Sequence, residues 1–292
     1  MKTLVLSNCA THSYVAMLKS LFPAWDVRGV LSDQAKQWLK HGSKPEFSDF
    51  FQSADILLIS DPALQPSAGD RQQIVIPHFF FGGLHPDIIR LVNAPLSVLG
   101  GGAMYSRLAT VSFLLNRTED ETVALFNRDI YAAAGYLRAF DAERARCIAT
   151  FAEAGIDIRD LFDAWLARGS FVYTYNHPKS FVLADILLRA LSGRLLTEAE
   201  AQDAKDRLYA VEDYLAPRGT WPVYPEIGAP HGIREPMVWH CNLAAKHQQL
   251  PLDAFVAQTF EQLRNHGTLS PGLVPRYEII AGAIRNSQEL AA

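Results

Sequence analysis

The first hundred residues alternate short apolar runs with segments of helical periodicity, and this alternation constrains the fold more than any other feature. The run Thr3-Leu4-Val5-Leu6 is typical of a strand that is buried on both faces. Apolar side chains then recur at helical spacing from Tyr14 to Phe22, and Pro23 ends that segment. Further strands are predicted at residues 27–31, 55–60, 73–76 and 96–99. Strands and helices in alternation favour a parallel, Rossmann-like sheet.

Beyond about residue 103 the pattern becomes helical. Capping boxes begin at Thr118 and at Thr197, because a Glu follows each of them three residues later. Asp141 is predicted to cap a helix that ends at Gly155. Further helices are predicted at residues 158–168, 179–192, 252–265 and 275–286, and a proline-rich irregular loop at residues 216–240.

The length and charge of the chain limit its organisation and its partners. We predict a single α/β domain in which residues 1–102 form the sheet lobe and residues 103–292 form a mainly helical lobe. The 27 Lys and Arg residues are outnumbered by 31 acidic residues, so the chain lacks the broad basic surface that nucleic-acid binding requires. A local basic pocket for a small phosphorylated ligand remains compatible with this balance.

The N-terminus and the cysteines predict a cytoplasmic protein. The first apolar stretch is only a few residues long and lacks the cleavage site of a signal peptide. No segment approaches the roughly 18 uninterrupted apolar residues of a membrane span. Cys9, Cys147 and Cys241 are odd in number and widely spaced, which argues against a disulfide framework.

Cys9 is the first candidate for chemistry, because Asn8-Cys9 follows the first predicted strand and precedes the first predicted helix. Ligands of open parallel sheets bind beyond the carboxyl ends of the strands. If Asn8 or Thr11 caps the helix, its first backbone N–H groups favour a thiolate and can hold an oxyanion or a phosphate. The alternative is a small, buried and inert cysteine.

Two His-Pro dipeptides, at His85 and His177, are the next candidates. An apolar pattern compatible with a helix follows each of them, and proline is favoured at the first position of a helix. We therefore predict that each histidine lies at the start of a helix, where the neutral imidazole that can accept a proton is favoured. The alternative is a pair of loop histidines without a chemical role.

Several other patterns are weaker. Gly82-Gly83, after three phenylalanines, permit close approach to a flat or phosphorylated ligand, and Gly100–Gly102 permit the same for a phosphate. No P-loop, dinucleotide fingerprint or G-x-S-x-G serine elbow is present. His240, Cys241 and His247 do not have the spacing of a zinc site, so we predict no metal.

A family resemblance joins these motifs. Four of them occur in order, namely Ser7-Asn8-Cys9, Gly83-Leu84-His85-Pro86-Asp87, Tyr105-Ser106-Arg107 and Asn176-His177-Pro178. Together with the late Trp221–Pro225 loop, they resemble the WcbI-type polysaccharide biosynthesis family over most of the chain. The usual first motif of that family is Gly-Asn-Cys-Gln, whereas Ser7 and Ala10 stand at its ends here. The lost glutamine amide removes one polar contact and leaves the substrate open.

The resemblance implies a bacterial capsule or surface-polysaccharide enzyme that binds coenzyme A and acetylates a sugar hydroxyl. It implies that Cys9, His85 and His177 match functional positions of the family. Either Cys9 attacks the acetyl thioester, with Asn8 helping to hold the oxyanion, or a neutral histidine deprotonates the acceptor directly. His177 is the first choice as base and His85 the second, with Asp87 or Asp61 as orienting carboxylates.

Residues near the motifs and predicted strand ends are assigned to coenzyme A. They are Ser7, Arg71, Gly83, Tyr105, Ser106, Arg107 and Asn176, with Arg90 as a further candidate for the phosphates. Two other functions stay open at this point. One is an SGNH-like acetyl esterase with a cysteine nucleophile, and the other is a non-catalytic protein that binds coenzyme A or a nucleotide.

Overall fold

A computed structural model describes residues 1–42, 44–91, 97–98, 104–243, 246–265 and 269–289. The predicted strand at 96–99 lies partly, and the glycines at 100–102 wholly, outside the described residues. The strands are β1 (Lys2–Ser7), β2 (Asp26–Leu31), β3 (Ile56–Ile59), β4 (Gln72–Val75), β5 (Ile88–Arg90), β6 (Met104–Ser106), β7 (Val172–Thr174), β8 (His177–Pro178), β9 (Trp239–Leu243) and β10 (Lys246–Leu250).

The helices alternate with the first strands and dominate the later part of the chain. The α-helices are α1 (Thr11–Leu21), α2 (Ser32–His41), α3 (Pro45–Ser53), α4 (Gln65–Ala68), α5 (Arg107–Leu114), α6 (Glu119–Ala124), α7 (Arg128–Ala133), α8 (Ala139–Glu153), α9 (Leu161–Leu166), α10 (Ser180–Leu191), α11 (Glu198–Tyr209), α12 (Pro225–Gly228), α13 (Leu252–Arg264) and α14 (Tyr277–Glu289). Short 3₁₀ turns occur at Pro62–Leu64, Tyr136–Arg138, Ala216–Arg218, Ala229–His231 and Pro271–Leu273.

The chain folds into two compact units that each take up several segments. The first unit contains residues 1–80, 145–165 and 176–215, and the second contains residues 81–144, 166–175 and 216–292. The boundary between these units is therefore not the single lobe boundary predicted near residue 102. The chain leaves the first unit after Phe80 and returns to it twice, which no local pattern in the sequence reveals.

The first unit is built on a four-stranded parallel sheet with the order β2-β1-β3-β4, which confirms the predicted parallel sheet. Leu4, Val5 and Leu6 of β1 are all buried, as expected for a strand covered on both faces. On one face, Leu4 and Leu6 belong to a core cluster with Phe47, Phe50 and Phe51 of α3.

Helix α1 lies close against β2. A Cβ atom added at Gly29 of β2 would lie 2.6 Å from the side-chain methyl carbons of Thr11 and Val15. The absence of a side chain at Gly29 therefore allows this close approach. Burial of Tyr14, Met17 and Leu18 along α1 confirms the predicted helical periodicity of residues 14–22.

The second unit has a small antiparallel pair and an aromatic core. Strands β5 and β6 pair with Ile89 opposite Tyr105. The indole of Trp239 stacks on the ring of Phe255 at a centroid distance of 4.0 Å, and Trp221 packs edge-on against both rings. These rings contribute large apolar surfaces to the core of the second unit.

Two local predictions are wrong. A helix was predicted to begin at His85-Pro86, but Ile88–Arg90 form strand β5, because both isoleucines are buried and pair with β6. His85 therefore does not lie at the start of a helix. So short an apolar run cannot distinguish a helix from a strand. Asp141 lies in the first turn of α8 and is not its cap, since the 3₁₀ turn at Tyr136–Arg138 runs directly into that helix.

Both predicted capping boxes are confirmed. The side chain of Thr118 accepts a hydrogen bond from the Glu121 amide, and Glu121 accepts one from the Thr118 amide. Thr197 and Glu200 make the same exchange at the start of α11. Within the described part of the chain, no helix combines the length and the apolar character needed to cross a lipid bilayer.

Gly83 yields a test of packing in the second unit. An added Cβ atom would lie 2.6 Å from the Phe81 ring and 2.9 Å from the backbone of Phe140. Because backbone cannot move aside cheaply, we expect Gly83→Ala to lower the free energy of unfolding by about 1–3 kcal/mol. Urea denaturation measures this change. The control is Gly282→Ala in α14, where the added Cβ atom meets open space, so its stability should equal or slightly exceed that of the parent protein. Equal losses of stability in both variants would contradict the packing argument.

Candidate active site

The carboxyl ends of three neighbouring strands bring polar residues to one edge of the sheet. Ser7 ends β1, Ser60 follows β3, and His78 follows β4. Leu6 pairs with Ile59 and Ile59 with Val75, so the chain leaves the three strands at nearly the same level. The hydroxyl oxygens of Ser7 and Ser60 lie 2.8 Å apart and are buried. Ser7 is therefore part of the link between β1 and β3.

Asn8 builds the turn that carries Cys9. Its side-chain oxygen accepts a hydrogen bond from the Ala10 amide at 3.0 Å. Its carbonyl oxygen accepts from the Thr11 amide at 3.0 Å and from the Thr11 hydroxyl at 2.7 Å. The helix cap itself is Ala10, which makes no side-chain cap bond, so Asn8 caps the preceding turn rather than the helix. Cys9, a half-exposed thiol, lies two residues before the start of α1.

Tyr14, one turn into α1, was predicted only as a core residue. Its side chain is buried, and burial raises its pKa, with the negative charge of Cys9 as the second cause. The phenol therefore lies within electrostatic reach of the Cys9 sulfur. The protonated phenol is a hydrogen-bond donor to an anionic group at this position.

A small pocket opens beside this turn. It has a volume of about 10 Å³, room for about one water molecule, and is lined by Ser7, Asn8, Ala10, Tyr14, Pro77, His78, Phe79, Asn176, Pro178 and Leu183. Asn8 and Ala10 flank Cys9, and Asn176 and Pro178 flank His177. The structure thus joins the first and the last of the sequence motifs around one pocket.

His78 is a pocket residue that the sequence motifs do not include. It lines the pocket, and its Nε2 atom is buried without a hydrogen-bond partner among the described residues. Burial is the main cause that lowers the pKa of His78 below its ordinary value. Its position in the sequence could have indicated this, because His78 follows strand β4 much as Cys9 follows strand β1.

Asp61 belongs to an ion-pair network and interacts electrostatically with His78. Lys36 contacts Asp33 at 2.8 Å and Asp61 at 2.9 Å, and the Ala63 amide donates to Asp61. Burial opposes ionisation of Asp61, but the Lys36 and Ala63 hydrogen bonds outweigh it and lower the pKa of the carboxyl. The Asp61 carboxylate in turn favours protonation of His78 and partly offsets the effect of burial. Asp61, predicted as an orienting carboxylate, thus acts on His78 electrostatically.

Arg71 is committed to the backbone of the first unit. Its guanidinium donates hydrogen bonds to the carbonyl oxygens of Ala68, Ser67 and Phe51, and it stacks over the Phe51 ring at 4.3 Å. These contacts hold the guanidinium against the protein backbone, and the assignment of Arg71 to coenzyme A stays a prediction.

The remaining predicted site residues belong to the second unit. His85 is buried, and its Nε2 atom lies 2.9 Å from the carbonyl oxygen of Trp221. A carbonyl oxygen only accepts, so Nε2 carries a proton. Gly83 meets the Phe81 ring and the Phe140 backbone rather than open space. Burial raises the pKa of the Tyr105 phenol to about 12.

Asp87 is a buried hub of hydrogen bonds. One carboxylate oxygen accepts from the Leu108 amide at 2.9 Å and the Tyr136 hydroxyl at 2.8 Å. The other accepts from the Ser106 hydroxyl at 2.5 Å and the Tyr224 hydroxyl at 2.8 Å. These four donors show that Asp87 joins distant segments of the second unit, whereas its prediction as an orienting carboxylate stays a prediction.

Ser106 and Arg107 surround the same hub. The Ser106 hydroxyl also accepts from the Ala109 amide at 2.9 Å and so caps α5. The Arg107 guanidinium donates to the Pro86 carbonyl oxygen at 3.1 Å and lies over the Tyr136 ring. Their roles in the described contacts are structural.

Metal-ligating side chains do not cluster in the part of the chain that the structure describes. Among the described ranges, no three His, Cys, Asp or Glu side chains are arranged so that they could hold a metal ion.

Comparisons with known proteins point to one family. The family model "Polysaccharide biosynthesis enzyme WcbI" matches residues 2–195. A solved structure has the same fold, with a TM-score of 0.67 and 12% sequence identity, and the alignment covers 99% of this chain and 98% of the other. That structure is described as native WcbI, a novel polysaccharide biosynthesis enzyme, without a disulfide bond between coenzyme A and a cysteine. No curated protein matches the sequence.

The Asp87 hub can be tested by one substitution. Asp87→Asn removes the charge and places an amide group against hydroxyl donors, so we expect the free energy of unfolding to fall by about 2–4 kcal/mol. Chemical denaturation followed by circular dichroism measures the change. The control is Asp203→Asn on the exposed face of α11, which should stay within about 0.5 kcal/mol of the parent protein. Equal stability of the two variants would contradict a structural role for Asp87.

Proposed function

Because the chain belongs to the WcbI family of polysaccharide biosynthesis enzymes, we propose that it transfers an acetyl group from acetyl-coenzyme A to a sugar hydroxyl. The observation that carries this proposal is the position of Cys9. The thiol is half-exposed beyond the carboxyl end of β1, next to a pocket with polar side chains in its lining. That edge is where open parallel sheets bind their ligands.

The pocket suits one polar group of the reacting substrates. Its volume of about 10 Å³, room for one water-sized group, is far below the roughly 300–1,000 Å³ of pockets that enclose a whole ligand. A hydroxyl or a carbonyl oxygen fits such a space, with the rest of the donor and the acceptor outside it. The description of the structural neighbour mentions coenzyme A together with a cysteine, which supports this donor for the present chain.

The chemistry assigned to Cys9 is nucleophilic. Its sulfur attacks the acyl carbonyl, the bond from that carbon to the donor sulfur breaks, and the donor thiol leaves with the proton. One thioester replaces another, so the step is nearly balanced in energy. The Tyr14 phenol and the amides that follow Thr11 in the first turn of α1 serve as donors for the negative oxygen that forms during attack.

The second step transfers the acyl group from Cys9 to the acceptor. The sugar hydroxyl attacks the carbonyl, the bond to the Cys9 sulfur breaks, and a histidine accepts the hydroxyl proton. His177 and His85 are the bases predicted from the sequence. His177 is buried in β8, between two residues that line the pocket.

Intact-mass measurement after incubation with acetyl-coenzyme A tests the nucleophile. We expect the parent protein to gain the mass of one acetyl group and Cys9→Ala to gain none. Cys241→Ala is the matched control, because burial raises the pKa of the Cys241 thiol to about 11 and keeps that thiol protonated. This control should be acetylated like the parent.

The other outcomes identify other functions. Tight binding of coenzyme A without an adduct and without transfer to added sugars would contradict the enzyme proposal and leave a binding protein. Release of acetate from an acetylated sugar in a Cys9-dependent reaction, without transfer from acetyl-coenzyme A, would identify an esterase instead.

A further inference from the structure

We propose that His78 is the general base of the second step, accepting the proton of the acceptor hydroxyl as this hydroxyl attacks the acyl group on Cys9. This inference rests on the proposed function, and it names a base that the family motifs do not include. Electron pairs balance: the oxygen–carbon bond forms, the Cys9 carbon–sulfur bond breaks, and the hydroxyl proton goes to the imidazole.

The first argument is shared position. Asn8 and Ala10, on either side of Cys9, line the same pocket as His78. The register of β1, β3 and β4 places the residues after these strands at one sheet edge. A base must lie within reach of the proton that it accepts, and this pocket puts an imidazole next to the turn of the nucleophile.

The second argument is the unsatisfied nitrogen. The Nε2 atom of His78 is shielded from solvent and has no hydrogen-bond partner among the residues that the structure describes. Buried polar atoms nearly always have a partner, so an exception calls for an explanation. A substrate hydroxyl in the pocket would supply the missing hydrogen bond.

The third argument is that the segment carrying His78 is held firmly. Ile76 and Phe79, on either side of Pro77-His78, are buried, and the Phe79 ring packs against Phe151 and Trp165. The imidazole therefore occupies a defined place in the pocket wall. Preorganisation of this kind is what a catalytic base requires.

The surroundings of His78 keep its imidazole neutral near pH 7. Burial lowers its pKa, Asp61 and Asp33 oppose that shift, and Lys36 supports it. The net shift is downward, so the ring can accept a proton at neutral pH. The deacylation rate should therefore fall only when the pH drops below the ordinary histidine range.

Single-turnover discharge of the acetyl group on Cys9 tests the inference. The acyl-enzyme is formed with acetyl-coenzyme A, freed of excess donor, and followed by intact mass in buffer containing methyl α-D-mannopyranoside. Discharge to water and to the glycoside both need a base, so we expect His78→Gln to slow their sum by about 100-fold or more. Discharge to hydroxylamine, a nucleophile that needs no base, should stay at the parent rate.

The controls separate catalysis from folding. His41→Gln changes an exposed histidine at the end of α2 and should behave as the parent protein. His177→Gln and His85→Gln compare the two bases predicted from the sequence. The parent discharge rate should decrease with falling pH, whereas that of His78→Gln should lose this dependence, which a purely structural change would not produce.

The two proposals fail in distinguishable ways. Absence of an adduct on the parent protein would overturn the proposed function. An adduct that His78→Gln discharges to water and glycoside at the parent rate would overturn the role of His78 alone. So would a large loss with hydroxylamine in the same variant, because it would show a damaged site rather than a missing base.

Discussion

The parallel pairing of β1, β3 and β4 is the constraint on which the candidate site depends. The register that sets Leu6 beside Ile59 and Ile59 beside Val75 ends the three strands at one level. The segments that follow therefore leave the sheet side by side. The contact between the Ser7 and Ser60 hydroxyls continues this alignment one residue beyond the paired strands.

The turn at Asn8 connects this edge to the chemistry. Asn8 satisfies the Ala10 and Thr11 amides locally, so the backbone around Cys9 is ordered without burying the thiol. A reactive thiol needs both properties, because it must be accessible and must also keep a defined direction. The apolar packing of α1 against the sheet stabilises the position of the turn that contains Cys9.

The motif residues of the second unit show that a conspicuous sequence motif can contain residues that hold the fold together. In the sequence Gly83-Leu84-His85-Pro86-Asp87, the glycine permits close packing and the aspartate gathers four hydrogen bonds. Substitution of Gly83 or Asp87 should therefore lower the stability of the unit, whatever its effect on the reaction. A short motif therefore combines residues with different physical roles. The buried contacts of each residue show which of them stabilise the fold.

Local patterns in the sequence determined the strands of the parallel sheet, the α1 periodicity, both capping boxes and the placement of Cys9 after β1. Each of these depends on residues within a few positions of one another. The strand at Ile88, the structural role of Asp87 and the pocket position of His78 were decided only by the tertiary structure. They depend on strand register and on burial, which bring together residues such as Asn8 and His78 that are far apart in the chain.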